Sequence, residues 1–332
     1  MTSIAFRSWP LGKAKNTGIS SQSIGWICLL VGLSAGATFT SFAKQLSGWF
    51  SPLSVLFLGE TLVLAFVVAS FGLLSVLREL SQLRRSQMVA LLVLGFLSTI
   101  GLALIFFGLQ TTSAANAELF GRSEILFTIA MAVLILRERF QPALLVTGAI
   151  MIIGISVVGL RGFSDGLVPR HGDMLILLGS VVFSIVSTIF KKYLAALKPE
   201  IIIFVRCSVS LGCFFVLSPF VSAPFLTELL SMPMGLLPAI IGFGLVSRFL
   251  NIFCFYQAIE RLPLSTISLL QPLEILGAVL FAHVYLGESL HWYHLVGTGL
   301  IVLGVLTMQM ISGKSHDTTR ALRAKQHIRH HV

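Results

Sequence analysis

The chain has 332 residues, 56% hydrophobic and only 11% charged, with a mean hydropathy of +0.94 and a formal net charge of +10. Soluble domains carry roughly 25% charged residues, so this composition excludes a water-soluble globular protein and leaves a polytopic membrane protein. The basic excess lies almost wholly between the apolar runs, where membrane orientation explains it better than nucleic-acid binding does.

In chain order, residues 1–23 form a polar arm with Arg7, Trp9, Lys13 and Lys15. The next apolar run belongs to a repeat, so it reads as a membrane span and not as a cleaved signal. Apolar runs predict helices over 24–43, 52–77, 87–108, 112–136 and 142–160, then over 172–194, 200–218, 235–258, 264–286 and 292–311. A turn-rich linker, Arg161 to His171, separates the two sets, and residues 312–332 are a basic, His-rich tail.

The two sets are copies of one unit. An offset of 150 residues carries Glu124-Ile125-Leu126 onto Glu274-Ile275-Leu276, Leu136-Arg137-Glu138 onto Leu286-Gly287-Glu288, and Gly154 onto Gly304. An offset of 147 carries Gly32 onto Gly179, Lys44 onto Lys191 and Pro52 onto Pro199. The expected units are therefore 24–160 and 172–311. Placing the N-terminus in the cytoplasm puts Arg78, Arg84, Arg85, Arg137, Arg139, Lys191, Lys192, Lys198 and Arg261 inside with the arm and tail, and leaves only Lys44, Arg161 and Arg170 outside. Five helices per copy is an odd number, so the second copy enters from the opposite side. The expected fold is an all-α integral membrane protein, ten transmembrane helices as two inverted five-helix repeats, with both termini cytoplasmic.

Charges inside apolar runs mark function by default, because each costs several kcal/mol near the bilayer centre, roughly 2.5 to 3.5 on insertion scales. Glu124 and Glu274 occupy equivalent depths in helices 4 and 9. There they would bind a proton or cation, or else hold helices together by hydrogen bonds. Glu118 and Arg122, four residues apart, read as a structural ion pair. On a straight helix they point roughly 120 to 160° away from Glu124. Arg206 and Arg248 have no carboxylate at i±3 or i±4 and need partners from Glu60 or Glu274. They would hold an anionic or zwitterionic substrate, or tie helices through an Arg to Glu bridge. Pro272 is expected to kink helix 9 beside Glu274, and His283 reads as packing.

No HExxH, GxGxxG, Walker or CxxC pattern occurs, and Cys28, Cys207, Cys213 and Cys254 all lie within apolar runs. His291 and His294 would make an incomplete metal site. These observations predict no catalytic residues, no cofactor and no metal.

The chain resembles the drug/metabolite transporter superfamily in its EamA-type form with two tandem domains. The resemblance covers about residues 24–311. It rests on the five-plus-five plan, the Leu-x-Glu endings at Leu136 to Glu138 and Leu286 to Glu288, the Pro272 region, and Gly148, Gly154, Gly297, Gly299 and Gly304 of the fifth helices. Arg122 departs from the pattern, standing where a proline is usual. The resemblance implies a small-metabolite transporter of the cytoplasmic membrane, often an exporter, with a central cavity between the halves, peripheral helices 5 and 10, and structural roles for Glu138 and Glu288.

The reading that results is a secondary transporter of an amino acid or related solute, exported or exchanged and proton-coupled through Glu124 or Glu274. Arg206 or Arg248 would serve as anion partner. Its partners would be a small-molecule substrate, the lipid bilayer and, in a homodimer, a second copy, but no nucleic acid. A lipid-linked sugar or lipid flippase is the alternative within the class. A membrane-embedded enzyme or a sensor that uses the same carboxylates is the alternative outside it.

Overall fold

Apolar side chains all round a helix demand an apolar surrounding, and backbone groups in lipid must be satisfied within the helix itself. The computed structural model meets both demands. It describes residues 21–135, 143–160, 170–194, 197–221, 225–262, 267 and 270–307, and the described residues form helices and turns with no strand. Most of the N-terminal arm, the loop holding Arg137, Glu138 and Arg139, most of the linker and the tail lie outside the described residues.

The elements are α1 (Ser21–Gly36), α2 (Phe39–Ser47), α3 (Pro52–Phe71), α4 (Leu73–Leu80), α5 (Arg85–Thr111), α6 (Ala114–Gly121), α7 (Glu124–Leu134) and α8 (Ala143–Gly159). The second half holds α9 (His171–Ile189), α10 (Pro199–Val221), α11 (Phe225–Ser231), α12 (Leu237–Ile241), α13 (Asn251–Arg261), α14 (Pro272–Leu286) and α15 (Trp292–Thr307). Among the described residues six stretches are long and apolar enough to cross a bilayer: Gln22–Ser47, Pro52–Phe71, Arg85–Thr111, His171–Leu194, Pro199–Leu217 and Met234–Phe255. Val146–Val158, Pro272–Leu286 and Trp292–Thr307 are shorter apolar helices. The protein is a multi-pass membrane protein.

Several expected helices are interrupted, each for a local reason. The second predicted helix stops at Gly72, whose φ of +77° leaves α-helical space and separates α3 from α4. The fourth divides into α6 and α7 at Arg122–Ser123, after Gly121, a poor helix former. Pro272 opens α14 in its first turn, where its missing N–H costs nothing, so it starts the described helix and does not kink it.

Between α12 and α13 the chain winds as a wider π segment, Gly242–Leu250. The Ser247 hydroxyl donates to the Gly242 carbonyl five residues back, at 3.2 Å, a spacing that suits this winding.

Helix contacts repeat across the halves. α1 packs against α13 and α5 against α9, while α3 packs against α10. Under the sequence repeat α1 corresponds to α9 and α5 to α13, so the first two contacts are one contact with the halves exchanged. α14 lies against α1, α2 and α6. Gly154 of α8 faces Gly297 of α15 so closely that a Cβ there would stand 3.0 Å from the Gly297 carbonyl. Small residues let these two helices touch backbone to backbone.

The α5–α6 corner is held by α14's far end. Ser113 accepts a hydrogen bond from the Asn116 N–H at 3.0 Å. The Glu288 carboxylate accepts from the Ala114 and Ala115 N–H groups at 2.7 and 3.1 Å. A carboxylate on these unpaired donors satisfies them and meets the positive end of the α6 dipole.

Candidate functional site

A cavity of about 520 Å³ opens between the halves. α1, α2, α5, α6 and α7 line it from one side, and α9, α10, the π segment, α13 and α14 from the other. Among the described residues α8 and α15 contribute nothing to the lining. Phe39, Leu102, Ala117 and Ile176 belong both to the lining and to the largest apolar cluster, which also holds Phe50, Phe106, Leu119 and Phe243. One wall of the cavity is thus dry and close-packed.

The first ionic centre is Glu60 of α3, fully buried at 0% exposure. Arg248 Nη2 donates to Glu60 Oε1, and Arg206 Nη1 lies 3.4 Å from the same oxygen. The Arg248 guanidinium also lies over the Phe243 ring, 5.7 Å from its centroid. The neighbouring glycine lets this centre pack tightly, because a Cβ on Gly59 would stand 2.6 Å from Arg248 Nη1 and from Phe243 and would displace one of them. One carboxylate here faces two guanidinium groups. Arg248 Nη1, Glu60 Oε2 and Thr40 Oγ1 are all buried without a hydrogen-bond partner.

The second centre has the opposite balance. Arg122 donates through Nε to Glu118 Oε1 at 2.9 Å and through Nη2 to the same oxygen. Its Nη2 also stands 3.8 Å from Glu274 Oε1. Glu124 accepts from the Ser187 hydroxyl of α9 at 3.0 Å. Glu274 lies against α1 at Gly36, where a Cβ would collide with its carboxylate and with Asn251 Nδ2. The Asn251 amide in turn donates to the Gly32 carbonyl at 2.9 Å. Three carboxylates gather about one guanidinium.

The residues that sequence reasoning singled out therefore meet in one place. Arg206 and Arg248 share Glu60, one of the two partners expected for them. Glu118 and Arg122 are paired as expected. The expectation that the pair turns away from Glu124 is corrected: the break at Arg122–Ser123 undoes the straight-helix rotation, and Glu118, Arg122, Glu124 and Glu274 line the same cavity. Arg122 reaches Glu274 across the halves.

Sequence reasoning missed Thr40, Ser180, Ser187, Ser247 and Asn251, neutral polar residues that nothing but their isolation in apolar runs could have flagged. The two histidines at the start of α15 serve another purpose. His294 Nε2 sits 3.1 Å from Asn116 Oδ1, and its Nδ1 accepts from the His291 N–H at 3.1 Å.

The sequence profile of the EamA-like transporter family matches twice, over residues 23–160 and 170–310. An uncharacterized transporter of Methanothermobacter thermautotrophicus is 30% identical over 212 residues, 63% of this chain and 60% of that protein, so the match spans less than two thirds of that relative. The uncharacterized transporter YyaM of Bacillus subtilis is 26% identical over 289 residues, 84% of this chain and 92% of its own. The pseudopaline exporter CntI of Pseudomonas aeruginosa is 26% identical over 141 residues, 41% of this chain and 45% of its own. A solved crystal structure superposes with a TM-score of 0.58 at 18% identity, covering 89% of this chain and 98% of that one, and shows the same fold.

Proposed function

The chain belongs to the EamA-like transporter family and is a membrane transporter, not an enzyme; from that premise we propose that it exchanges an amino acid or a related small organic solute for protons across the cytoplasmic membrane. The observation that carries this reading is the convergence of Glu118, Arg122, Glu124, Arg206, Arg248 and Glu274 on one cavity walled by both halves, with Glu60 buried behind the two arginines. Buried charge on this scale is expensive in lipid and persists where it handles a charged cargo.

The reading takes the chain as ten crossings in two inverted five-helix units, about 24–160 and 172–311, with α6 and α7 together making the fourth. The exchanged contacts of α1 with α13 and α5 with α9 support a pseudo-twofold relation. The asymmetry of Lys and Arg supports both termini inside. A site at the interface of inverted repeats can be exposed to either side by rocking one half against the other.

The site then divides the work. The guanidinium groups of Arg206 and Arg248, which share one carboxylate, present an excess positive charge to the cargo's anionic group. Glu124 and Glu274 take either the cargo's ammonium group or a proton, so that release of one follows binding of the other. Arg122 steadies Glu274 while the site is empty. The test is reconstitution of the full chain in liposomes with an imposed pH gradient. Glu124→Gln and Glu274→Gln should each cut the gradient-driven component of amino acid flux by about ten-fold while gradient-free exchange persists. Unchanged gradient dependence in both variants removes proton coupling from the account.

A further inference from the structure

The ionic groups around the cavity do not cancel. The three guanidinium groups of Arg122, Arg206 and Arg248 face the four carboxylates of Glu60, Glu118, Glu124 and Glu274, and 3 − 4 leaves one negative charge among the described residues. The imbalance is also divided in space. Around Glu60 there is one positive charge too many, and around Arg122 there are two negative charges too many. The positive end meets the cavity through Arg206, whose side chain is 18% exposed, and through Arg248, 7% exposed, both of which line it.

An uncompensated charge inside a low-dielectric span is costly, so the loaded cavity favours contents of net charge +1. A proton meets that condition. In the exchange proposed above, on which this inference rests, proton and cargo occupy the site in turn, so a one-for-one cargo must bring the same net charge. The excess positive charge that Arg206 and Arg248 present at that end requires that the cargo also carry an oxyanion. One negative group and a net charge of +1 together require two cationic nitrogens.

The geometry points to a dibasic amino acid as the cargo: a carboxylate against Arg248, Arg206 and Thr40, and two cationic nitrogens against Glu274 and Glu124. The Glu274 carboxylate packs into the space that Gly36 leaves beside the cavity, and Ser187 holds Glu124 from the opposite half. The cavity, about 520 Å³, has room for an extended aliphatic side chain between the two ends. Exchange of such a cargo for one proton moves no net charge.

The experiment uses the full chain in liposomes loaded with L-lysine, L-ornithine, L-alanine, L-leucine, cadaverine or L-glutamate, with a pH dye and a potential dye inside. Lysine and ornithine should exchange for external protons at least about ten-fold faster than any of the other four, with no change in membrane potential. Glu274→Gln brings the cavity's net charge to zero and should reverse the order, so that alanine or leucine moves faster than lysine and no longer moves protons. Glu124→Gln removes the same charge from a different helix and should give the same reversal if Glu274→Gln does not insert. Arg248→Gln should abolish the preference for lysine over cadaverine. If wild-type protein moves alanine with protons as fast as lysine, the charge inference is overturned while the transport reading stands. If no amino acid moves in either direction, both are overturned.

Discussion

Glu60 and Glu274 are both carboxylates on apolar helices beside the same cavity, yet the protein treats them in opposite ways. Glu60 is sealed at 0% exposure between two guanidinium groups, whereas the Glu274 side chain keeps 20% exposure and has a guanidinium only at 3.8 Å. The first carboxylate is spent on holding α3, α10 and the π segment together. The second is left available. A transporter needs both kinds: one charge that fixes the walls and another that the cargo or a proton can claim.

Removing the counter-charge should therefore hurt most at the sealed centre. Glu60→Gln strands two buried guanidinium groups, and breaking a buried pair typically costs about 3 to 5 kcal/mol. The expected outcome is a large fall in detergent Tm together with low membrane yield. Arg122→Gln strands Glu118 and Glu274 instead, but Glu274 is open to the cavity and can take up a proton. The expected loss is smaller, about 1 to 2 kcal/mol, and should shrink as the pH is lowered because protonation removes the stranded charge. Thermal melts at two pH values check the sign. If Arg122→Gln proves the more damaging of the two at both pH values, the contrast between a sealed and an available centre is wrong.

The smallest effect lies outside the cavity. Glu288→Gln keeps a hydrogen-bond acceptor at the start of α6 but removes its charge from the helix dipole, a loss of about 0.3 to 1 kcal/mol. Transport selectivity should not change, because Glu288 contacts Ala114 and Ala115 and does not line the cavity. A shift in cargo preference would show that the α6 N-terminus is coupled to the site.

Much of this contrast could be read in the sequence. The apolar runs, the repeat that equates Glu124 with Glu274, and the shortage of local partners for Arg206 and Arg248 are all visible in one dimension. Shortage alone pointed both arginines toward Glu60 or Glu274. Which carboxylate they chose was not visible, since α3 and α10 lie 146 residues apart at the contact. Arg122 was misplaced because a straight-helix rotation requires a continuous helix, and the chain breaks at Arg122–Ser123, after Gly121. Glu288 stood out by its place in a motif, but its partners on α6 are 174 residues away. Neutral residues such as Thr40 and Asn251 gave no signal, for a lone hydroxyl or amide in an apolar helix costs too little to mark function.

The π segment that carries Arg248 has a mechanical consequence. A π turn holds about one residue more than an α turn, so rewinding Gly242–Leu250 as ordinary α-helix would swing Arg248 about 100° around the axis. The guanidinium would leave Glu60, and the Ser247 hydroxyl would lose its carbonyl five residues back. Helical pitch and the grip on Glu60 are thus one variable, and any motion that tightens this coil also unlocks the wall between α3 and α10.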